Sequence, residues 1–356
     1  TGRLNIVLAT RLKQTPGFKL FKRTQNNWLV FWPHKVEHLS NCPSVAFFFP
    51  IICYTRSMSK KSKVIAIVGP TASGKTSLSI EIAKQFDGEV ISVDSRQVYR
   101  GMDIGTGKVT REEMSDIPHH LLDVADPMEV YTAVDFERAA SIATRDILNR
   151  DKLPVFAGGS FFYLDILCGK MQSAPVEPNP ELRGKLELFS NQELLEQIQE
   201  NDPRRAETID PDNRHRLIRS LEIIATLGSV PEPKKADSPY DWLVLGVDIN
   251  KEKLHHNIHV RLLERVEEGM IEEAERLHAE GVSFERMDEL GLEYRYLAKL
   301  LQNETTKEGM IEELETKIKQ FAKRQMTWLK RDDEIVWVKP EDREKIYQLV
   351  EGFLKE

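Results

Sequence analysis

The sequence predicts an α/β fold: a parallel sheet flanked by helices, with a small all-helical insertion domain and a helical C-terminal region. Three observations lead to this prediction. First, a buried-strand pattern at residues 64–68 runs into a glycine-rich loop and then into a helical pattern. Second, the order of strand, loop and helix repeats up to about residue 170, which implies a doubly wound parallel sheet. Third, strand patterns then disappear until residues 242–248, and the chain after them is mostly helical.

The glycine-rich loop fits the phosphate-binding template Gly-x4-Gly-Lys-[Ser/Thr] at every fixed position. It is therefore a P-loop, and the fold is expected to be P-loop NTPase-like. Its backbone N–H groups and the following helix N-terminus attract an anion, and Lys75 adds a full positive charge. A chance match in a glycine-rich turn is disfavoured because both flanks are correct. We expect a di- or triphosphate to bind Gly69, Pro70, Thr71, Ala72, Ser73, Gly74, Lys75 and Thr76, with Mg²⁺ on the Thr76 hydroxyl.

A second strand pattern covers residues 89–93, and Asp94 follows at its carboxyl end, where ligands of open α/β sheets bind. A P-loop alone does not define the reaction, so the role of Asp94 has alternatives. In a kinase it would hold Mg²⁺ through water, and in another reaction it would be a general base. A cap of the following turn is the purely structural alternative, with about equal weight.

The next segments continue the sheet. The loop at 97–108 carries three glycines and is expected to contact substrate or to move. His119 and His120 are neighbours in an extended segment and point to opposite faces, so we interpret them as structural. A helix at 132–148 and a strand at 153–157 follow, and paired glycines before Ser160 allow a close backbone approach to a ligand.

Two segments carry clustered basic residues. Residues 213–219 contain three arginines, and residues 321–328 combine an apolar face with Lys323 and Arg324. A solvated helix face is the usual explanation of such runs, and contact with nucleic-acid phosphates is the sharper one.

The composition of the chain limits the classes of protein to which it can belong. The 356 residues are 40% hydrophobic and 30% charged, as in soluble globular proteins, and no apolar run approaches the ~20 residues of a membrane-spanning helix. The net charge of -7 is uneven: residues 1–57 have a single acidic residue, Glu37, among eight Lys and Arg. Of the three cysteines only Cys168 lies outside this segment, which excludes a disulfide framework and fits a cytoplasmic protein.

We therefore predict three parts. Residues 1–57 are expected to be an upstream extension without function, since Met58 begins a plausible natural start directly before the first strand; a targeting extension is the alternative. Residues 58–170 and 241–356 form the P-loop core with its C-terminal helices. Residues 171–240 form the helical insertion domain.

Taken together, these stretches resemble the tRNA dimethylallyltransferase (tRNA isopentenyltransferase) family. The matching segments run in the family's order across nearly all of residues 62–338, and the series is highly specific. They are residues 69–76, 91–95, 97–99, 102–106, 119–123, 158–159, 216–222 and 322–328. In two departures, Ser160 stands where the family commonly has Thr, and Glu293 precedes Tyr294 where the family often has Gly.

The resemblance implies transfer of a dimethylallyl group from dimethylallyl diphosphate to the exocyclic amine of the adenosine 3′ of the anticodon, in tRNAs that read codons beginning with U. It agrees with Mg²⁺ as cofactor, and we expect a monomer, although the sequence does not fix the oligomeric state. The catalytic residues would be Asp94 as general base, Thr76, and Arg261 on the diphosphate, or Arg265 if the alignment is one turn off. Contacts to tRNA would fall on residues 291–295 and on Asp94, Ser95, Arg96, Gln97, Ser160, Arg183, His215, Arg216, Leu217, Ile218 and Arg219.

Three other functions remain open from the sequence. A P-loop kinase needs only the loop and Asp94, and leaves the insertion and the basic C-terminal helix unexplained. An isopentenyltransferase that acts on free adenine nucleotides would not need the long C-terminal region and the arginine cluster. A nucleotide switch or RNA-binding module without chemistry would not need Asp94 together with Arg261.

Overall fold

The computed structural model describes residues 19–22, 28–31, 61–171, 174, 176–232 and 237–356. The chain divides into two compact units, Thr1–Lys60 and Lys61–Glu356. In the first unit, β1 (Lys19–Lys22) pairs antiparallel with β2 (Trp28–Phe31). The rest of residues 1–57 lies outside the described residues, so its interpretation as an extension stays a prediction.

The second unit is built on a six-stranded sheet in which every pairing is parallel. The strand order is β5-β4-β6-β3-β7-β8. The strands are β3 (Ser62–Val68), β4 (Gly88–Val93), β5 (His119–His120), β6 (Leu153–Gly158), β7 (Tyr240–Val247) and β8 (Val336–Val338). The predicted parallel α/β fold is confirmed.

Register at the sheet centre places three loops side by side. Val68 at the end of β3 pairs with Gly158 of β6, and Gly158 also pairs with Val93 at the end of β4. A Cβ on Gly158 would lie 2.0 Å from the Val93 carbonyl oxygen, so only glycine fits between these strands. The P-loop, the Asp94 turn and the Gly159-Ser160 segment therefore leave the same edge of the sheet together.

Helices cover both faces of this sheet. They are α1 (Lys75–Gln85), α3 (Ala133–Asn149) and α4 (Phe161–Leu167); the single-turn α2 (Arg111–Met114) precedes α3 and has no buried residue. Phe136 of α3 and Leu164 of α4 pack in the hydrophobic cluster on one face, and Leu78 and Ile82 of α1 pack in the cluster on the other. The buried stripes match the helical spacing of these side chains in the sequence.

Four short helices form the insertion: α5 (Pro180–Leu186), α6 (Asn191–Asn201), α7 (Pro203–Thr208) and α8 (Arg214–Leu227). Each begins at a side-chain cap, such as the capping box of Ser190 with Glu193. Their apolar faces form a hydrophobic cluster of their own around Leu194, Ile198 and Leu217.

The C-terminal region is helical, with α9 (Lys251–Glu267), α10 (Met270–Ala279), α11 (Phe284–Leu290), α12 (Leu292–Leu301), α13 (Lys307–Leu329) and α14 (Arg343–Lys355). Helices α9 to α13 surround one large cluster that includes Leu262, Met287 and Leu297. Across the described ranges, none of the helices combines the length and the apolar character that crossing a membrane requires.

Candidate active site

The P-loop curls tightly between β3 and α1. A Cβ on Gly69 would lie 2.9 Å from the Ser73 hydroxyl oxygen and 3.1 Å from Cβ of Val247, so the first glycine is needed for close packing. Ala72 and Gly74 both have positive φ, +60° and +88°. Such alternation turns backbone N–H groups toward one point and makes a concave anion site at the start of α1. The loop geometry therefore fits the phosphate group expected from the sequence.

Lys75 lies half-buried at the mouth of this loop. Its ammonium donates a hydrogen bond to the carbonyl oxygen of Pro70 at 2.7 Å. Burial and the nearby positive charge of Arg261 lower the pKa of Lys75 to about 8, although Asp94 opposes the change. Arg261 thus adds a second positive charge near Lys75, and a bound polyanion would relieve the repulsion between them.

Asp94 directly follows β4, at the edge of the sheet where the P-loop follows β3, and we call the space between the P-loop and the Asp94 turn the cleft. Its Oδ1 accepts the backbone N–H of Arg96 at 2.8 Å and that of Gln97 at 3.4 Å, which fixes the carboxylate in the turn. Burial raises the pKa of Asp94, and the two N–H groups and Lys75 only partly oppose the rise. Asp94 therefore does cap its own turn, as the structural alternative supposed, yet it also has the raised pKa of a candidate proton acceptor.

The residues next to Asp94 are held from two sides. The Ser95 N–H donates to the Ser160 hydroxyl oxygen at 2.9 Å, so two of the predicted tRNA contacts touch each other. Gln97 accepts from the Ser92 hydroxyl at 3.2 Å and donates to the Gly107 carbonyl at 3.2 Å.

Residues 291–295 reach the same cleft. Gly291 packs against the Arg96 side chain, whose Nε lies 3.0 Å from where a Cβ on that glycine would be. Glu293, the departure noted above, forms a salt bridge with Arg265 at 3.6 Å.

Arg261 and Arg265 project from α9 but differ in their surroundings. Arg265 donates to the Gly105 carbonyl oxygen at 3.0 Å in addition to its salt bridge with Glu293. Among the described residues, the Arg261 side chain makes no salt bridge and donates no hydrogen bond. Burial and Arg265 lower the pKa of Arg261. Arg261 lies close enough to Lys75 to lower its pKa and is the arginine available to an anion, whereas Arg265 supports the loop at 97–108 through Gly105.

Sequence reasoning missed Glu273, the residue that anchors the loop at 97–108. Glu273 of α10 is 6% exposed and accepts the N–H groups of Asp103, Ile104 and Gly105, each at 2.8 Å, and the Tyr294 hydroxyl at 2.6 Å. Its only signal in the sequence is a carboxylate on the apolar stripe of α10. Buried polar groups require partners, which indicates a local role for it but does not identify the loop.

Two arginines of the insertion bind one buried glutamate. Arg183 makes two hydrogen bonds with the buried Glu222, at 2.8 and 3.0 Å, and Arg219 binds the same carboxylate at 3.1 Å. Leu217 and Ile218 are 0% and 3% exposed in the insertion core. Their side chains follow the apolar stripe of α8 and pack inward, and the tRNA contact expected at these two positions stays a prediction.

A basic groove connects the insertion to α13. It has a volume of about 570 Å³ and contains four positive side chains beside an indole ring. It is lined by Arg216, Gln320, Lys323, Arg324, Thr327, Trp328 and Arg331. Two separate basic runs of the sequence thus meet on one surface, which favours an extended polyanion over a solvated helix face.

The described residues offer few groups of side chains that could bind a metal ion. Within the described ranges there is no group of three or more His, Cys, Asp or Glu side chains suited to a metal ion. The adjacent histidines bind protein groups instead: His119 contacts the Ile117 carbonyl at 2.8 Å, and His120 contacts Glu89 at 2.7 Å. The exposed Thr76 at the anion site fits Mg²⁺ all the same, since this ion often takes one protein oxygen, several waters and substrate phosphates.

The family profile and the known proteins that match this sequence agree with one another. A sequence profile of the IPP transferase family matches residues 97–332. The tRNA dimethylallyltransferase 1 of Geotalea uraniireducens is 41% identical over 271 residues, covering 75% of this chain and 88% of that protein. The tRNA dimethylallyltransferase 2 of Treponema denticola is 42% identical over 280 residues, covering 77% and 94%.

Solved structures agree with the sequence relatives. The full-length tRNA isopentenylpyrophosphate transferase of Bacillus halodurans is similar with a TM-score of 0.63 at 35% identity, covering 83% of this chain and 97% of that one. A eukaryotic dimethylallyltransferase acting on tRNA is similar with a TM-score of 0.68 at 30% identity, covering 80% and 75%.

Proposed function

The chain belongs to the IPP transferase family, and we propose that it transfers a dimethylallyl group from dimethylallyl diphosphate to the exocyclic amine of the adenosine 3′ of the anticodon. The tRNAs are those that read codons beginning with U, and the products are N6-isopentenyladenosine and diphosphate. The observation that carries the proposal is the register of β3, β6 and β4, which places the P-loop with Lys75 beside the Asp94 turn at one edge of the sheet; the raised pKa of Asp94 agrees with a role as proton acceptor.

The P-loop would act as a clamp for the leaving group. The amine nitrogen attacks the allylic carbon, the bond from that carbon to the diphosphate oxygen breaks, and the amine proton passes to the Asp94 carboxylate. Charge would develop on the departing diphosphate, and the loop N–H groups, Lys75 and Arg261 would stabilise it. An adenine amine is a weak nucleophile, so positioning and the proton acceptor must supply much of the rate.

Mg²⁺ would bind at Thr76 together with oxygens of the diphosphate. When bound, it would neutralise charge on the leaving group. The remaining steps need only the side chains already named.

The basic groove would bind the tRNA backbone. Arg216 on α8 and Lys323, Arg324 and Arg331 on or next to α13 offer positive charge on two sides of one channel. The target adenine would leave its base stack to enter the cleft beside Asp94, as other base-modifying enzymes require. Since one chain supplies the cleft and the groove, we propose a monomer, acting in the cytoplasm.

The test is to incubate the protein with unmodified tRNA, Mg²⁺ and dimethylallyl diphosphate and to analyse the digested tRNA by mass spectrometry. We expect isopentenyladenosine, and a loss of about 10²- to 10⁴-fold in rate for Asp94→Asn with tRNA binding retained. Asp241→Asn, an exposed aspartate at the start of β7, is the matched control. Product formed only on free AMP, or phosphate transfer from ATP instead, would refute the proposal.

A further inference from the structure

One buried amide touches both halves of the cleft. Gln325 of α13 is 5% exposed, and its Oε1 accepts the backbone N–H of Thr71 in the P-loop at 2.8 Å. Its Nε2 donates to the Gly159 carbonyl oxygen after β6 at 3.1 Å. The two contacts need one acceptor and one donor, so among side chains of this length only an amide serves both.

The contact of Gln325 with Gly159 connects its amide to the turn that carries Asp94, the proposed proton acceptor. Gly159 precedes Ser160, whose hydroxyl oxygen accepts the Ser95 N–H beside Asp94. A Cβ on Gly159 would lie 2.5 Å from the Gln325 Nε2, and within 4 Å it would meet only the side-chain atoms of Gln325. The glycine is therefore needed for the approach of this amide.

From this geometry we propose that Gln325 is a positioning residue that fixes the P-loop relative to the Asp94 turn. On the proposed function, the loop holds the allylic diphosphate and the turn faces the amine, so Gln325 sets the separation of the two reacting groups. Both polar groups of its buried amide are bonded to protein backbone, so we expect it to contact neither substrate. Its effect on rate follows from the sensitivity of transfer reactions to the placement of their reactants.

The first experiment compares Gln325→Ala with the wild type at saturating substrates. We expect kcat to fall by about 10- to 100-fold while the KM for tRNA changes by less than about twofold, because the groove is intact. Gln302→Ala, an exposed glutamine at the end of α12, is the control and should match the wild type. If Gln325→Ala does not fold, Gln325→Met, which keeps the length of the side chain, carries the same expectation.

A double-mutant cycle with Gly159→Ala separates positioning from a general loss of structure. Alone, Gly159→Ala pushes the amide away and should lower kcat to a similar extent. In the Gln325→Ala background the added methyl group has room, so the double variant should be no slower than Gln325→Ala. Losses that multiply, or a kcat of Gln325→Ala within about threefold of the wild type, would overturn the proposal.

Binding of pyrophosphate to the free protein tests the loop without any transfer. We expect calorimetry to show several-fold weaker binding for Gln325→Ala, and unchanged binding would count against the proposal. If the wild type binds pyrophosphate but makes no isopentenyladenosine, the proposed function fails while this measurement still decides the role of Gln325.

Discussion

At the scale of single residues, two ionisable groups in the cleft have pKa values displaced toward each other. Burial raises the pKa of Asp94, and burial together with Arg261 lowers that of Lys75 to about 8. A carboxylate that accepts a proton and an ammonium that holds an anion need opposite charges at the same pH. The pH range in which both are charged is therefore the range in which transfer is fast.

This arrangement predicts a bell-shaped pH dependence of kcat/KM for dimethylallyl diphosphate. Asp94 acts ionised, so the rate rises with pH through its raised pKa; Lys75 acts protonated, so the rate falls as pH increases through about 8. Lys75→Arg keeps its charge to much higher pH and should remove the alkaline limb. An unchanged alkaline limb in this variant would assign it to another group.

The two arginines of α9 give a second prediction. Arg261→Gln should weaken pyrophosphate binding by about 10- to 100-fold, the loss of a charge-assisted contact of about 1.5–3 kcal/mol. Arg265→Gln removes contacts to Gly105 and Glu293 and should lower the thermal midpoint more than it weakens binding. Isothermal calorimetry and thermal unfolding of both variants check the assignment, and the reverse pattern would exchange the two roles.

At this scale the sequence predicted the residues that belong to a motif. The P-loop and Asp94 follow from a template and from a position after a strand. Gln325 and Glu273 were missed because helical spacing shows that a side chain is buried but not which distant backbone it meets. Leu217 and Ile218 have buried side chains within the run of expected tRNA contacts, because neighbouring residues on a helix span both its faces.

At the scale of elements, the loop from Asp103 to Gly107 depends on one carboxylate. Glu273→Gln leaves a single acceptor oxygen among four donors and turns an amide N–H₂ toward the others. We expect a loss of about 1–3 kcal/mol in the free energy of unfolding, measured from the urea midpoint. Glu275→Gln, exposed two residues further along α10, is the control. Equal stability of the two variants would contradict this role.

The basic groove predicts a salt dependence. Lys323→Ala and Arg324→Ala should each reduce the slope of log K for tRNA against log salt by about 0.7–0.9 if each cation contacts one phosphate. Lys307→Ala, at the far end of α13, should leave the slope unchanged. Filter binding at a series of salt concentrations measures this, and slopes equal to the wild type would show that tRNA does not enter the groove.

Long amphipathic elements were predictable, and of the two shortest strands only β5 lies in a segment that the sequence indicated to be extended. The 23 residues of α13 repeat an apolar stripe through several turns, whereas β8 has three residues and β5 two. A strand as short as β8 has no period to detect, and it forms because the neighbouring strand offers unpaired backbone groups. The basic groove likewise needs α8 and α13 to meet, which neither segment specifies alone.

At the scale of the whole molecule, a parallel sheet explains why residues far apart in sequence share one cleft. The carboxyl ends of β3, β4 and β6 lie in register, so the loops after them carry the anion site, Asp94 and Ser160 side by side. The sequence predicted this convergence, since parallel strands end at a common edge. The helices behind it add Arg261, Glu273 and Gln325, and their positions depend on packing across the core.

The central claim is that the P-loop holds a leaving group and that carbon, not phosphorus, is attacked. The most direct test uses dimethylallyl diphosphate labelled with ¹⁸O at the oxygen between the allylic carbon and phosphorus, with tRNA as acceptor. Cleavage of the carbon–oxygen bond predicts that all the label appears in the released diphosphate. Label that stays with the dimethylallyl fragment would mean attack at phosphorus, as in a phosphoryl transferase, and would contradict the account.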